Sequence, residues 1–479
     1  MLFTEPAFLF LFLPVLLALY YAGRGRAWRN WLLLAASLLF YARGAGAFTA
    51  LVVASIAFNY LAALGVDRWR ARPAGRWILG AAVATNLLVL AVFKYADFTI
   101  GNVNVAMALV GTSQFALPHL LLPIGISFFT FHAISYVIDV SRRDASAQKR
   151  PVEAALYLLV FPQLIAGPIV RYRQIAAQLT ERVTTTADFA WGVRRFITGL
   201  GKKMLIANPL AGPADHIFAM PAGEITTAHA WLAVACYTLQ IYFDFSGYSD
   251  MAIGLGRMFG FHFPENFNYP YIAASVQDFW RRWHMSLSAW FRDYVYIPLG
   301  GNRTSTPRMY FNLVLVFFLC GLWHGASWTF VVWGLFHGLF LVLERVGLGR
   351  RLQALPRVLR HAYLVIVVMV GWVFFRAETL TSALVMLRAM AGFAGHLPTA
   401  YSPAWYLTPH LLVTTAVALV GATPALPALM RWRDSGSPAA FVPAALWDTA
   451  AIAALAAVFI GAIAQSAAGT YNPFIYFRF

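Results

Sequence analysis

The sequence predicts an all-α integral membrane protein, and three observations carry that prediction. Of its 479 residues, 60% are hydrophobic and only 11% are charged, the balance of a chain that crosses a bilayer repeatedly. The apolar residues are gathered in runs near the ~20 residues that a crossing helix needs. No polar block reaches the ~50 residues of a separate soluble domain. The chain therefore reads as one polytopic domain over residues 1–479.

The runs fall at 7–22, 30–42, 47–65, 77–95, 117–140, 153–170, 228–245, 309–323, 327–344, 361–375, 408–425 and 443–464. With the shorter ones taken as tilted or re-entrant, they make about 11 to 13 spanning or partly spanning helices. The opening stretch, MLFTEPAFLFLF, has no basic leader and no small-residue cleavage pattern, and it carries Glu5. It reads as an uncleaved first helix, not a signal peptide. No lipidation box is evident.

Arginines set the topology. Arg24, Arg26 and Arg29 follow the first run, Arg68, Arg70, Arg72 and Arg76 the third, and Arg142, Arg143, Lys149 and Arg150 the fifth. The 96–118 connection holds no Lys or Arg. The positive-inside rule then puts the N-terminus outside and the basic loops in the cytoplasm. It also accounts for the net charge of +17, from 36 Lys and Arg against 19 Asp and Glu. In a soluble chain that excess would suggest nucleic acid; here no nucleic-acid partner is expected. Beyond the fifth run the alternation fails, because 142–150 and 171–203 are both basic. The intervening LYLLVFPQLIAGPIV either dips in and returns on one side or is a kinked span. Pro162, Gly167 and Pro168 break it in both cases.

Cys236 and Cys320 lie in apolar runs and read as small buried hydrophobes. There is no CxxC or HExxH, and the 13 positions from His324 to His337 are not a zinc spacing. Neither a metal nor a resident cofactor is expected. No internal repeat is visible.

Two histidine-bearing segments stand out, because ionisable groups are costly in a bilayer unless a function or a partner retains them. In DFWRRWHMSLSAWFRDYVYIPLGGNR (278–303), a helix of 100° per residue puts Phe279, Trp283, Leu287, Trp290 and Tyr294 on one face. Asp278, Arg281, Arg282, Arg292 and Asp293 fall opposite, and His284 sits at the edge of the apolar face. An interfacial anchor with an incidental histidine has the same pattern. In GLWHGASW (321–328), Gly321 and Gly325 permit close backbone approach around His324, and Trp323 and Trp328 suit an apolar cleft or interface. An imidazole there suits general-base work; a structural histidine in a helix–helix turn fits equally.

These segments, with LLPIGISFFTFHAISYVIDV (121–140), FPQLIAGPIVRY (161–172) and IYFDFSGYSDMAIGLGRMFGFHFPENFNYPYIA (241–273), resemble the membrane-bound O-acyltransferases, in particular their bacterial alginate O-acetylase branch. The resemblance is strong over 5–375 and weaker beyond. It implies a ring of tilted helices around a central tunnel. It also implies that His324 is the catalytic residue and His284 the second functional position, with His337 a weaker candidate of structural role.

The resemblance implies an acetyl group moved from a cytosolic thioester, acetyl-CoA, across the bacterial inner membrane to a hydroxyl of an extracytoplasmic polysaccharide. Alginate, cellulose, another exopolysaccharide and peptidoglycan remain open as acceptors. His324 would deprotonate the acceptor hydroxyl. Arg281 and Arg282 are candidate donor-binding groups, although positive-inside topology also explains them. Asp244, Asp250 and Glu265 line the tunnel or are carboxylates hydrogen-bonded within the bundle. The tail YNPFIYFRF emerges on the outer side and is too apolar to stay in water. From its fold-back, Tyr476 becomes a candidate acyl relay to a periplasmic esterase or transferase partner; an aromatic anchor in membrane lipid is the alternative. A polysaccharide or lipid-linked sugar flippase, and a non-catalytic subunit of a secretion complex, are the competing functions.

Overall fold

The computed structural model describes residues 2–395, 397, 401–435, 443–469 and 475. Among them helices dominate and no strand occurs, so the all-α expectation holds. Six helices are long and apolar enough to cross a membrane: Phe48–Trp69, Pro73–Leu109, Thr306–His324, Trp328–Gln353, Arg357–Arg376 and Ala445–Ala467. The pair Pro409–Gly421 and Ala425–Asp434, bent by 58°, makes a seventh if it is one span. This is a multi-pass integral membrane protein.

The full-length crossings are fewer than the apolar runs, for local reasons. Over 153–170 the helix Pro151–Leu159 stops at Val160, and a short turn, Phe161–Leu164, restarts with Pro162 in its first positions. A proline there has no amide to offer the preceding turn. The run 228–245 is absorbed in the 32-residue helix Thr227–Met258, which carries the buried carboxylates of Asp244 and Asp250. The first run becomes a single apolar helix from Phe8 to Ala22, short of a full crossing.

The chain forms two compact units that alternate along the sequence: Met1–Phe196 with Met251–Pro264, and Ile197–Asp250 with Glu265–Phe479. In the first, Phe3, Phe8, Phe40 and Phe161 form an aromatic core, with ring centroids 5.1 to 6.2 Å apart. Direct hydrogen bonds tie together some of its buried polar groups. Asn59 and Asn86 exchange amide hydrogen bonds of 3.1 and 2.7 Å, and Tyr20 donates to the Phe259 carbonyl at 2.8 Å.

The second unit is organised by the hairpin of Thr306–His324 against Trp328–Leu343. A Cβ at Gly321 would strike the Phe330 carbonyl oxygen, and one at Gly334 the Phe317 carbonyl oxygen. Small residues at the crossing let the two backbones touch, the usual source of helix affinity in lipid. On the Thr227–Met258 helix the carboxylates are ion-paired: Asp244 with Lys203 at 2.6 Å and Asp250 with Lys202 at 2.7 Å. Of the two roles weighed for these acids, the bundle contact is the one observed. Glu265 is exposed.

Candidate active site

His284 does not sit on one continuous amphipathic helix. The segment breaks into Val276–Arg282 and Met285–Phe291, with His284 between them in the left-handed region at φ 44°. The five residues assigned to one face, Phe279, Trp283, Leu287, Trp290 and Tyr294, are all buried in protein. The interfacial-anchor alternative is thereby corrected: the face packs inward because the break turns both short helices onto the core.

Asn266 makes the break. Its carbonyl accepts the Met285 amide at 2.9 Å, and its side-chain Oδ1 accepts from the Ser286 amide at 3.3 Å and from the Ser286 hydroxyl at 2.8 Å. The amide can only donate, so this contact fixes which atom of the Asn266 side chain is the oxygen. Asn266 Nδ2 then donates to Ser249 Oγ at 3.0 Å. His284 Nδ1 lies 3.0 Å from that same Oδ1 and must therefore donate to it. The tautomer follows: Nδ1 holds the proton, and Nε2 carries the lone pair. His284 is 1% exposed, and its Nε2 has no hydrogen-bond partner among the described residues. An unpaired buried polar atom costs about 1–3 kcal/mol, so the Nε2 lone pair is a site where an incoming donor group would gain a hydrogen bond.

His324 is the last residue of its helix, where Gly325 continues in extended backbone. Its imidazole is 4% exposed and ringed by Trp323, Trp333 and Phe375 at 4.9, 5.0 and 5.1 Å. A Cβ at Gly325 would collide with the Phe330 ring, which explains the glycine after the histidine. The Trp323 ring also contacts His284, at 6.1 Å, so both candidate histidines meet one indole. Phe245 closes on His284 from another side, at 4.6 Å and nearly perpendicular. The two tryptophans divide between the two settings weighed for them: Trp323 is buried beside the histidines, and Trp328 is 53% exposed.

His337 is fully buried against Trp280, Trp333 and Phe336, with centroids 5.0 to 5.4 Å away. Its neighbour Trp333 also touches His324. Arg281 is exposed, and Arg282 is bound to Asp278 at 2.9 Å and to the Asn268 carbonyl at 3.2 Å. Both cysteines are free and buried. Among the described residues no cluster of His, Cys, Asp or Glu could hold a metal. Tyr476 lies outside the described residues, but its neighbour Ile475 is buried, and its amide donates to Asp244 Oδ2 at 2.9 Å.

Asn266, Ser249, Phe245, Trp333 and Phe375 are the site residues that sequence reasoning missed. Asn266 does stand in FPENFNYP, one of the segments carrying the resemblance, but nothing local marks it as the partner of a histidine 18 positions on.

The site thus holds a buried imidazole of fixed tautomer and a second imidazole in an aromatic cage. Residues 124–387 match the model of the MBOAT, membrane-bound O-acyltransferase family. The chain belongs to that family and is an O-acyltransferase. It is 44% identical to the probable alginate O-acetylase AlgI of Azotobacter vinelandii over the whole of both chains. It is 39% identical to the peptidoglycan O-acetyltransferase of Helicobacter pylori over 82% of this chain and 80% of the relative. The teichoic acid D-alanyltransferase of Bacillus subtilis is 31% identical over 47% and 59%.

Proposed function

We propose that this protein, acting as one domain in the bacterial inner membrane with both termini outside, takes an acetyl group from a cytosolic thioester and delivers it to a hydroxyl of an extracytoplasmic glycan. Acetyl-CoA is the proposed donor. An alginate-like polysaccharide is the first acceptor to test, since the relatives that match over their whole length are named for alginate; peptidoglycan is the second, from the Helicobacter pylori relative. The observation that carries the reading is the pair of buried histidines around the Trp323 indole. A path for a sugar would not need a buried imidazole held in one tautomer, and family membership favours chemistry over transport.

In the proposed step His324 takes the proton of the attacking hydroxyl as its oxygen adds to the thioester carbonyl. The carbon–sulfur bond then breaks, and the thiolate recovers the proton from His324. His284 presents Nε2 as a fixed acceptor that orients the hydroxyl. Arg281 and Arg282 stand as donor-side groups. Tyr476 is proposed as the hydroxyl acetylated first, passing the group to a periplasmic transferase or esterase. The contact of Ile475 with Asp244 supports this, because it holds the adjacent residue of the tail in the unit that contains both histidines.

The test is purified protein given acetyl-CoA labelled in the acetyl carbon. Release of free thiol with label on the protein or on added glycan supports the reading. Glycan movement with no loss of thioester would refute it.

A further inference from the structure

A cavity of about 380 Å³ opens in the second unit between the helices Thr227–Met258, Arg357–Arg376 and Pro409–Gly421. Val365, Val368, Met369 and Leu419 give it hydrocarbon walls. Three bordering hydroxyls are bonded into the protein. Thr238 donates to the Val234 carbonyl at 2.7 Å, and Thr423 to the Val420 carbonyl at 2.7 Å. The Tyr271 hydroxyl donates to the Thr238 carbonyl at 2.5 Å and accepts from the Trp372 indole at 3.2 Å. A ligand along these walls is held by burial of apolar surface.

The cavity meets the bilayer. Arg357–Arg376 is one of the crossing helices, and on the rim Leu419 is 58% exposed and Ala235 is exposed. At that depth the surrounding medium is hydrocarbon. From His361 to Met369 the wall runs about 12 Å, most of the roughly 15 Å of one apolar leaflet. Its shape fits one acyl chain standing along the helices.

One end of the slot is polar. His361 stands there, just after Arg357 and Arg360 at the start of the helix, where the apolar layer ends. Its Nδ1 lies 3.1 Å from the Ala273 carbonyl, which can only accept, so Nδ1 donates. In the neutral ring Nε2 then carries a lone pair. A headgroup with an N–H donor can meet it, and a fully methylated one cannot.

We infer that this cavity holds one acyl chain of a resident phospholipid whose headgroup ends in a primary ammonium, with that ammonium donating to His361 Nε2. The lipid is not a substrate. Its chain braces the wall behind the histidines. Trp372, one turn beyond Val368, packs on Trp283 at 4.8 Å and on Phe375 at 5.4 Å, and Phe375 packs on His324 at 5.1 Å. The inference needs only the membrane class of the protein and stands apart from the acyl-transfer reading.

The experiment measures binding without turnover. The whole protein is purified in detergent and stripped of lipid. It is then given phosphatidylethanolamine or phosphatidylcholine of identical chains, which differ only in methylation of the nitrogen. Native mass spectrometry counts bound lipid, and a photoreactive group in the chain maps its position. No acetyl donor is present, so failure here is separate from failure of the functional reading. Wild type should retain one phosphatidylethanolamine, with label on 365–369 and 415–423. Ala235→Phe narrows the cavity from its exposed rim and should weaken binding about tenfold or more. Ala416→Phe, exposed on Pro409–Gly421 but outside the cavity, should bind as wild type does. Wild type should prefer phosphatidylethanolamine by about fivefold, and His361→Phe should bind both lipids alike.

Equal binding in Ala235→Phe and wild type overturns the proposal, as does label spread alike over lipid-facing residues in both. Cross-linking of the C-terminal segment 470–479 to 365–369 in the stripped protein also overturns it, because the chain's own tail would then fill the cavity. Should His361→Phe melt early, wild type still decides the headgroup: equal affinity for the two lipids overturns the ammonium contact.

Discussion

Asn266 and His284, 18 residues apart, share a 3.0 Å hydrogen bond whose direction is set by a third group, the Ser286 amide. One side-chain oxygen thus breaks a helix, fixes a tautomer and aims a lone pair. Removing it should uncouple stability from activity. Asn266→Ala leaves three buried donors, His284 Nδ1 and the Ser286 amide and hydroxyl, without that acceptor, at about 1–3 kcal/mol each where no other partner is found, and frees the imidazole to reorient. We expect acetyl transfer to fall about tenfold for each ~1.4 kcal/mol of lost alignment, beyond what the fraction of folded protein explains. Ser249→Ala, which removes only the acceptor for Asn266 Nδ2, should follow in the same direction with a smaller loss. Rates normalised to folded protein decide it; equal and normal rates in both variants remove Asn266 from the site.

His324→Ala should reduce transfer by the ~10²–10⁴-fold typical of general-base catalysis, with helix content and melting nearly unchanged. Glycan acetylation near the wild-type level would exclude His324 as the base.

Tyr476→Phe keeps the ring and deletes only the phenol oxygen. Under the relay proposal, label from acetyl-CoA should no longer appear on the C-terminal peptide, and glycan acetylation should fail while thiol release from the donor continues slowly. A labelled peptide in the variant, or full glycan acetylation, ends the relay idea.

The ion pair of Lys203 and Asp244 is buried on both sides, at 5% and 1% side-chain exposure. Asp244→Asn leaves the lysine charge unmatched in a dry site, a change that costs about 3–5 kcal/mol where one partner of a buried pair is lost. The double variant Asp244→Asn with Lys203→Met should recover most of that loss. Thermal unfolding in detergent is the measurement, and additive losses in the double variant would show that the pair is not coupled.

Gly321 and Gly334 hold the crossing that places His324. Gly321→Val should force the two helices apart at the Phe330 carbonyl, costing about 1–3 kcal/mol or more by overpacking and lowering transfer with stability. An unshifted melting curve would contradict the contact.

Much of this protein is legible one residue at a time. Each apolar run was readable because burial in lipid acts locally on about 20 successive side chains. The glycines beside His324 pointed to a tight crossing, and the two cysteines to burial. Less was legible where a run carried breakers or buried charge: Pro162 halts one span, and Asp244 and Asp250 turn another into a polar-laced helix. The periodicity of 278–294 gave the right buried face but hid the break at His284, because Phe279 and Trp283 keep helical spacing on the side of the kink where they lie.

By itself, then, the sequence determined the class: an α-helical membrane acyltransferase with two histidine motifs, fixed by hydropathy, by the order of its motifs and by their chemistry. Only the tertiary structure decided what those histidines face. Asn266 reaches His284 across 18 residues, and Asp244 takes the Ile475 amide across 231. Such bonds form between groups that the chain separates and the fold unites, so they leave no periodic trace. Their strength comes from exclusion of water, which no single position possesses before the helices pack.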